Sequence, residues 1–152
     1  MNDVASAADR GANEAWVTIA RGPLVGPVLG RVVGMLAARA DFPIDRLDDA
    51  LLVADAVAAK AGSFAANGRI NVRVVSQIGS VELHVGPLLA NGARDLVASA
   101  ALPGIGNVLE RVADELTAEQ RAGDDDTEYL RIRLGFDTRR QSTIDRMGSD
   151  AS

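Results

Sequence analysis

Three stretches of the chain alternate between apolar and polar residues, and this constrains the fold more than any other feature. In residues 70–76, Ile70, Val72 and Val74 alternate with Asn71 and Arg73. In residues 81–85, Val81, Leu83 and Val85 alternate with Glu82 and His84. In residues 128–137, Leu130, Ile132, Leu134 and Phe136 alternate with Arg131 and Arg133. A period of two places all the apolar side chains of a run on one side of a strand. Such strands bury one face of a sheet and leave the other wet, which suits a largely antiparallel sheet with helices on one face only. The first two runs are joined by residues 77–80, which include a glycine, and read as a β-hairpin ended by Gly86-Pro87. A shorter strand is expected over residues 15–20, ahead of Arg21-Gly22-Pro23.

The covering layer has to come from residues with helical spacing. Residues 44–63 contain no Gly or Pro before Gly62, where a helix can stop, are rich in Ala and Leu, and carry Asp45, Asp48 and Asp49 in the first turns, where a helix favours negative charge. Leu47, Leu51, Ala54, Ala58 and Ala61 recur at spacings of three and four, which makes a small-residue face suited to close approach. A second helix is expected over residues 24–40, with Val25, Val28, Leu29, Val32, Met35 and Leu36 as its stripe and Gly26, Gly30 and Gly34 as a packing line. A third is expected over residues 105–116, with Ile105, Val108, Leu109, Val112 and Leu116 inward. Residues 88–100 are interrupted by Asn91-Gly92 and read as a loop with a short helical turn, and residues 118–126 read as an acidic connector. The order β, α, α, β, β, α, β gives a two-layer α/β sandwich with a mostly antiparallel mixed sheet. It occupies residues 14–137 between two polar tails, 1–13 and 138–152.

Composition narrows the function. The formal charge is −5, so no broad field attracts nucleic acid or anionic lipid. The absence of cysteine removes disulfides, thiolate metal sites and a cysteine nucleophile, and a single histidine removes a histidine-rich metal site. No apolar run reaches the roughly 18 residues of a membrane span, and the N-terminus has no apolar signal core, so a cytoplasmic protein is expected.

The order of elements resembles the ATPase domain shared by gyrase, histidine kinases and the anti-sigma-factor serine kinases of bacterial partner-switching systems, the last being nearest in size and layout. The likeness is carried by DFPIDRLDDALLVADAVAAKAG for the nucleotide-site helix, VELHVGP for the strand before an aspartate–glycine motif, LPGIGNVLERVADEL for a glycine-led helix after the lid, and YLRIRLGFD for the closing strand. Together they span about two thirds of the chain. The resemblance implies a histidine-kinase-like ATPase fold and a bound ATP with magnesium. It also implies a helix Glu that activates the attacking group and an Asn one turn later that holds the metal. Here those positions are Ala56 and Lys60. Alanine has no proton acceptor, and lysine brings a positive charge to a metal's place, where even two unit positive charges 4 Å apart repel by about 4 kcal/mol at an effective dielectric of 20. Asp55 lies next to Ala56 but projects about 100° away round the helix. The strand VELHVGP runs on into leucines without the adenine-reading Asp, and Asp95 follows only later. Gly104 and Gly106 remain as a glycine pair with N–H groups that an anion could meet.

The resulting expectation is a protein-binding regulator resembling an anti-sigma factor, with no catalytic residue and no metal site. Its partner would be a sigma factor or an anti-sigma-factor antagonist, met through Arg73, Glu82, His84, Arg131 and Arg133 on the open sheet face. Asp55, Gly104 and Gly106 are the candidates for any residual nucleotide contact, and ATP with magnesium enters only if the site has been relocated. Two alternatives are an active ATP-dependent serine kinase using Asp55 or Asp95, and a dimerising scaffold.

Overall fold

The computed structural model describes residues 12–121 and 124–136. The proposed tails, but for residues 12 and 13, and the end of the closing run at Asp137 lie outside them. The chain forms β1 (Asn13–Ala20), α1 (Val25–Arg39), α2 (Ile44–Lys60) with a 3-10 turn at Ala61–Phe64, and the hairpin β2 (Arg69–Gln77) and β3 (Ser80–Leu89). Then come α3 (Gly92–Ser99), the two-residue strands β4 (Ala101–Leu102) and β5 (Gly106–Asn107), α4 (Val108–Val112), β6 (Glu115–Arg121) and β7 (Asp124–Gly135). The main sheet has the order β1-β2-β3-β7-β6, and every pairing in it is antiparallel. Helices cover one face. The two-layer α/β sandwich read from the alternation is therefore the fold. Among the described residues no helix is long and apolar enough to cross a membrane.

The core lies where the alternation places it. Ile70, Val72, Val74, Val81, Leu83, Val85, Leu130, Ile132 and Leu134 are all buried under the helices. Ser76 continues the inward row of β2 and is buried at 1% exposure, with no hydrogen-bond partner for its hydroxyl. A buried unsatisfied hydroxyl costs free energy. Ser76→Ala is expected to raise stability by about 1 kcal/mol and the melting temperature by about 2–4 °C; a lower melting temperature would contradict this reading.

Several elements differ from the sequence expectation. α1 buries Val25, Leu29, Val33, Leu36 and Ala37, leaving Val28 and Met35 exposed. The apolar stripe is wider than the face the sheet consumes. Gly26 and Gly34 do approach α2: a Cβ added at Gly26 would stand 3.9 Å from Ala58, and one at Gly34 would stand 3.3 Å from Leu51. At Gly30 it would meet nothing within 4 Å. α2 buries Ala50, Val53, Ala54 and Val57, so its inward face is centred one position from the stripe at Leu47, Leu51 and Ala58, which are half-buried. β3 passes through Gly86-Pro87 to Leu89 with a register shift between Val85 and Leu88, so the hairpin does not end at the proline.

Residues 88–100 are the end of β3 followed by a true helix. Asn91 takes the left-handed conformation, φ 63°, directly before α3, so Asn91-Gly92 starts the helix instead of breaking it. The buried carboxylate of Glu128 accepts a hydrogen bond from Ala93 N at 2.8 Å, supplying this helix start with an acceptor from β7. The helix expected over 105–116 shrinks to α4. Gly104 and Gly106, at φ 78° and 84°, turn the β4–β5 hairpin, and Ile105 is 50% exposed at its tip. Asn107 caps α4 by accepting from Glu110 N at 3.1 Å. Leu116 belongs to β6, opposite Ile132, and most of the acidic connector is strand β6 and the start of β7.

Candidate functional site: the helix-free face of the sheet

Each strand presents its polar residues away from the helices, and the registers align them in rows. Trp16 is opposite Arg73, Arg73 opposite His84, His84 opposite Arg131, and Arg131 opposite Thr117. The neighbouring row runs Glu14, Val75, Glu82, Arg133 and Glu115. All five residues expected on this face, Arg73, Glu82, His84, Arg131 and Arg133, occupy these two adjacent rows.

The charges largely pair with one another. Arg73 Nε lies 2.5 Å from Glu14 Oε1, which holds the Glu14 carboxyl below the usual carboxylate range and raises the Arg73 guanidinium. The same guanidinium stacks over the Trp16 ring, 5.5 Å from its centroid. Arg131 is a hub. It donates from Nε to Glu82 and lies 3.5 Å from Glu115 and 3.9 Å from Glu119. Arg133 stands between Glu82 and Glu115 in register, yet both carboxylates turn diagonally to Arg131. His84 is half-buried, with Nδ1 3.9 Å from Glu119 Oε2. Burial lowers its pKa against the opposing pull of Glu82 and Glu119, with Arg73 and Arg131 adding to the lowering. The balance favours the neutral imidazole.

On the other side of the Trp16–Arg73–His84 row, away from the Glu14–Glu115 row, lies a concavity of about 460 Å³ lined by Trp16, Thr18, Asn71, Arg73, His84, Glu119, Gln120 and Tyr129. Trp16 is 72% exposed. Tyr129 packs its ring flat over Gly86, where an added Cβ would stand 2.5 Å from Cδ1. Trp16, Glu119 and Tyr129 are absent from the sequence expectation for this face. Trp16 and Tyr129 sit at outward-phase positions of β1 and β7 and carry the right alternation; Glu119 is hidden because β6 reads as a connector.

The nucleotide candidates are placed elsewhere. Asp55 is on the exposed side of α2; Ala56 is half-buried against the core and Lys60 is the last residue of that helix. A second concavity, about 310 Å³, separates α2 from α4 and is lined by Asp49, Leu52, Ile105, Val108, Arg111 and Val112. Asp55, Gly104 and Gly106 are not among its walls, so the structure does not bring the three together in one lined site. Asp95 lies in the first turn of α3.

No protein-family model matches the sequence, and no curated protein matches it. Among solved structures, a chain in the crystal structure of the SiaB–SiaC complex from Pseudomonas aeruginosa superposes with a TM-score of 0.52 at 11% identity, covering 80% of this chain and 89% of that one. The two chains share a fold. At that identity the likeness extends to architecture alone.

Proposed function

We propose that the chain is a regulatory protein-binding module that recognises another protein through the helix-free face of its sheet. The observation that carries this reading is the exposed Trp16, stacked by Arg73 and facing a concavity that Tyr129 closes on the other side. Trp, Tyr and Arg are the residue types that dominate binding energy at protein interfaces. A wet sheet face needs none of them at its centre. The ion pairs of Arg73 and Arg131 leave the face nearly neutral, so it suits contact-driven docking over attraction of a polyanion. The architecture shared with a member of a protein–protein complex agrees with this role. The resemblance to anti-sigma-factor kinases suggests a sigma factor or an anti-sigma-factor antagonist as the partner. Ala56 and Lys60 in the positions of the base and the magnesium ligand favour binding without phosphate transfer.

Two measurements test the reading. Calorimetric titration with ATP and magnesium is expected to give no micromolar binding, and binding accompanied by turnover would overturn the non-catalytic part. Affinity capture from the native cell should recover a partner with the natural chain and lose it with Trp16→Ala and with Arg73→Glu, each weakening the complex by about 2 kcal/mol or more, roughly 30-fold. A partner retained equally by both variants would place recognition elsewhere.

A further inference from the structure

We propose that two copies of this chain associate across a twofold axis through the outer edge of β1 and the flank of α1 beside it, joining their sheets into one. The proposal does not rest on the partner reading above. Among the described residues no strand lies beyond β1 or β6, so each exposes alternate backbone N–H and C=O groups. Open edges of this kind are usually guarded by charge, proline or bulges. β6 follows that rule, with Glu115 and Glu119 along it. β1, NEAWVTIA, has one charge in eight residues, with no proline, glycine or lysine, and pairs with β2 without a bulge. One edge of the sheet is protected and the other is not.

The helix above the unguarded edge is unguarded in the same direction. α1 packs over β1 and β2, while Arg46 of α2 bonds to the end of β7, so the side of α1 turned away from α2 faces the β1 edge. On that side lie Leu24, Val28 and Met35, at 65%, 39% and 55% exposure. At 100° per residue, Val28 and Met35 project within about 20° of each other and roughly 150° from the glycine line that meets α2. Arg31 and Arg39 border this stripe, and their stems can extend it while their charges stay wet. A strand pair alone falls short of the roughly 1,200–2,000 Å² that a stable interface buries. The exposed Leu24, Val28 and Met35 of the α1 stripe add apolar area to it.

The surface is also self-complementary. Opposite residues of an antiparallel pair share a face, so a twofold between two β1 strands passes at a residue, and full overlap of Asn13–Ala20 places it at mid-strand, at Trp16 or Val17. Trp16 then meets either its own copy or Thr18, which accounts for an exposed Trp on the strand nearest the axis. Glu14 meets Thr18 or Ala20, and no like-charge pair faces itself across the strands.

Sedimentation equilibrium on the full chain tests this between about 1 and 200 µM. The natural chain is expected to show twice the chain mass. Val28→Glu with Met35→Glu, both exposed, should keep the helical circular dichroism and raise the dissociation constant by about 100-fold. Should that variant unfold, the cysteine-free sequence offers a second route. Trp16→Cys and Thr18→Cys chains, alone and mixed, are expected to form a disulfide-linked dimer on mild oxidation in at least one combination. A natural chain that stays monomeric at the highest concentration overturns the proposal. So does a dimer indifferent to the α1 substitutions, or the absence of cross-linking in every combination. Loss of partner capture with an intact dimer would concern only the reading of the open face.

Discussion

Arg46→Ala is expected to destabilise the protein by about 3 kcal/mol and to lower its melting temperature by about 6–12 °C. Arg46 sits in the first turns of α2, mostly buried at 17% side-chain exposure. Its guanidinium joins three parts of the fold. Nε donates to Gly135 O at 3.0 Å, at the end of β7. Nη1 donates to Val112 O at 2.9 Å, closing α4, and to Asp49 at 3.0 Å. Nη2 meets Asp114 Oδ2 at 2.9 Å, and that same oxygen accepts from Gly135 N at 2.6 Å. Removing the side chain strands two carbonyls and leaves Asp114 with only its backbone partner. Bonds to a charged donor contribute about 1.5–3 kcal/mol each, but those sharing one side chain do not add. Arg46→Lys should lie between the two, because an ammonium lacks the planar fork that reaches all of these acceptors at once. Arg94→Ala, at an exposed position, should change stability by less than about 0.5 kcal/mol. A loss for Arg46→Ala no larger than that control would show that the network is decorative.

Why Arg46 is invisible in the sequence shows where sequence reading stops. The alternation of β2, β3 and β7 follows from local geometry alone, and it suffices to place the core and the polar face. Arg46's acceptors lie between 3 and 89 positions away, and nothing in IDRLDD signals them. α1 is legible as a helix but not in its rotation, because Val, Leu and Met occur on both sides of it. Only contact with the sheet decides that Val33 is buried and Met35 is not. β6 is illegible because Leu116 and Ala118 are its only apolar residues, a pattern equally suited to the tail of a helix. Without β6 there is no place for Glu119, the carboxylate that approaches His84 from across β7. Asn91-Gly92 reads as a stop, although a left-handed Asn serves equally well as the turn into a helix.

Gly86→Ala should disturb the open face more than any other single methyl group, and its effect should depend on Tyr129. Gly86 lies in the outward phase of β3, two residues from His84, and the Tyr129 ring lies against its Cα. An added Cβ would sit 2.5, 2.8 and 2.9 Å from Cδ1, Cε1 and Cγ. These are atoms at the base and side of the ring, so the side chain cannot yield at its tip and must rotate away. Overpacking of this kind costs about 2 kcal/mol, or about 4–8 °C in melting temperature. Displacing the ring also removes one wall of the concavity it shares with Trp16, so partner binding should fall together with stability. The two effects are separated by a double-mutant cycle. In a Tyr129→Ala background the alanine at position 86 has no ring to strike, so its cost should fall to a few tenths of a kcal/mol, a coupling of about 1 kcal/mol or more. Tyr129 is the chain's single tyrosine, so the NMR resonances of a ring-labelled tyrosine report the ring's movement directly. Independent effects of the two substitutions, with an unchanged tyrosine signal in Gly86→Ala, would mean that the ring is not held against this glycine in solution and that the concavity has no fixed wall there.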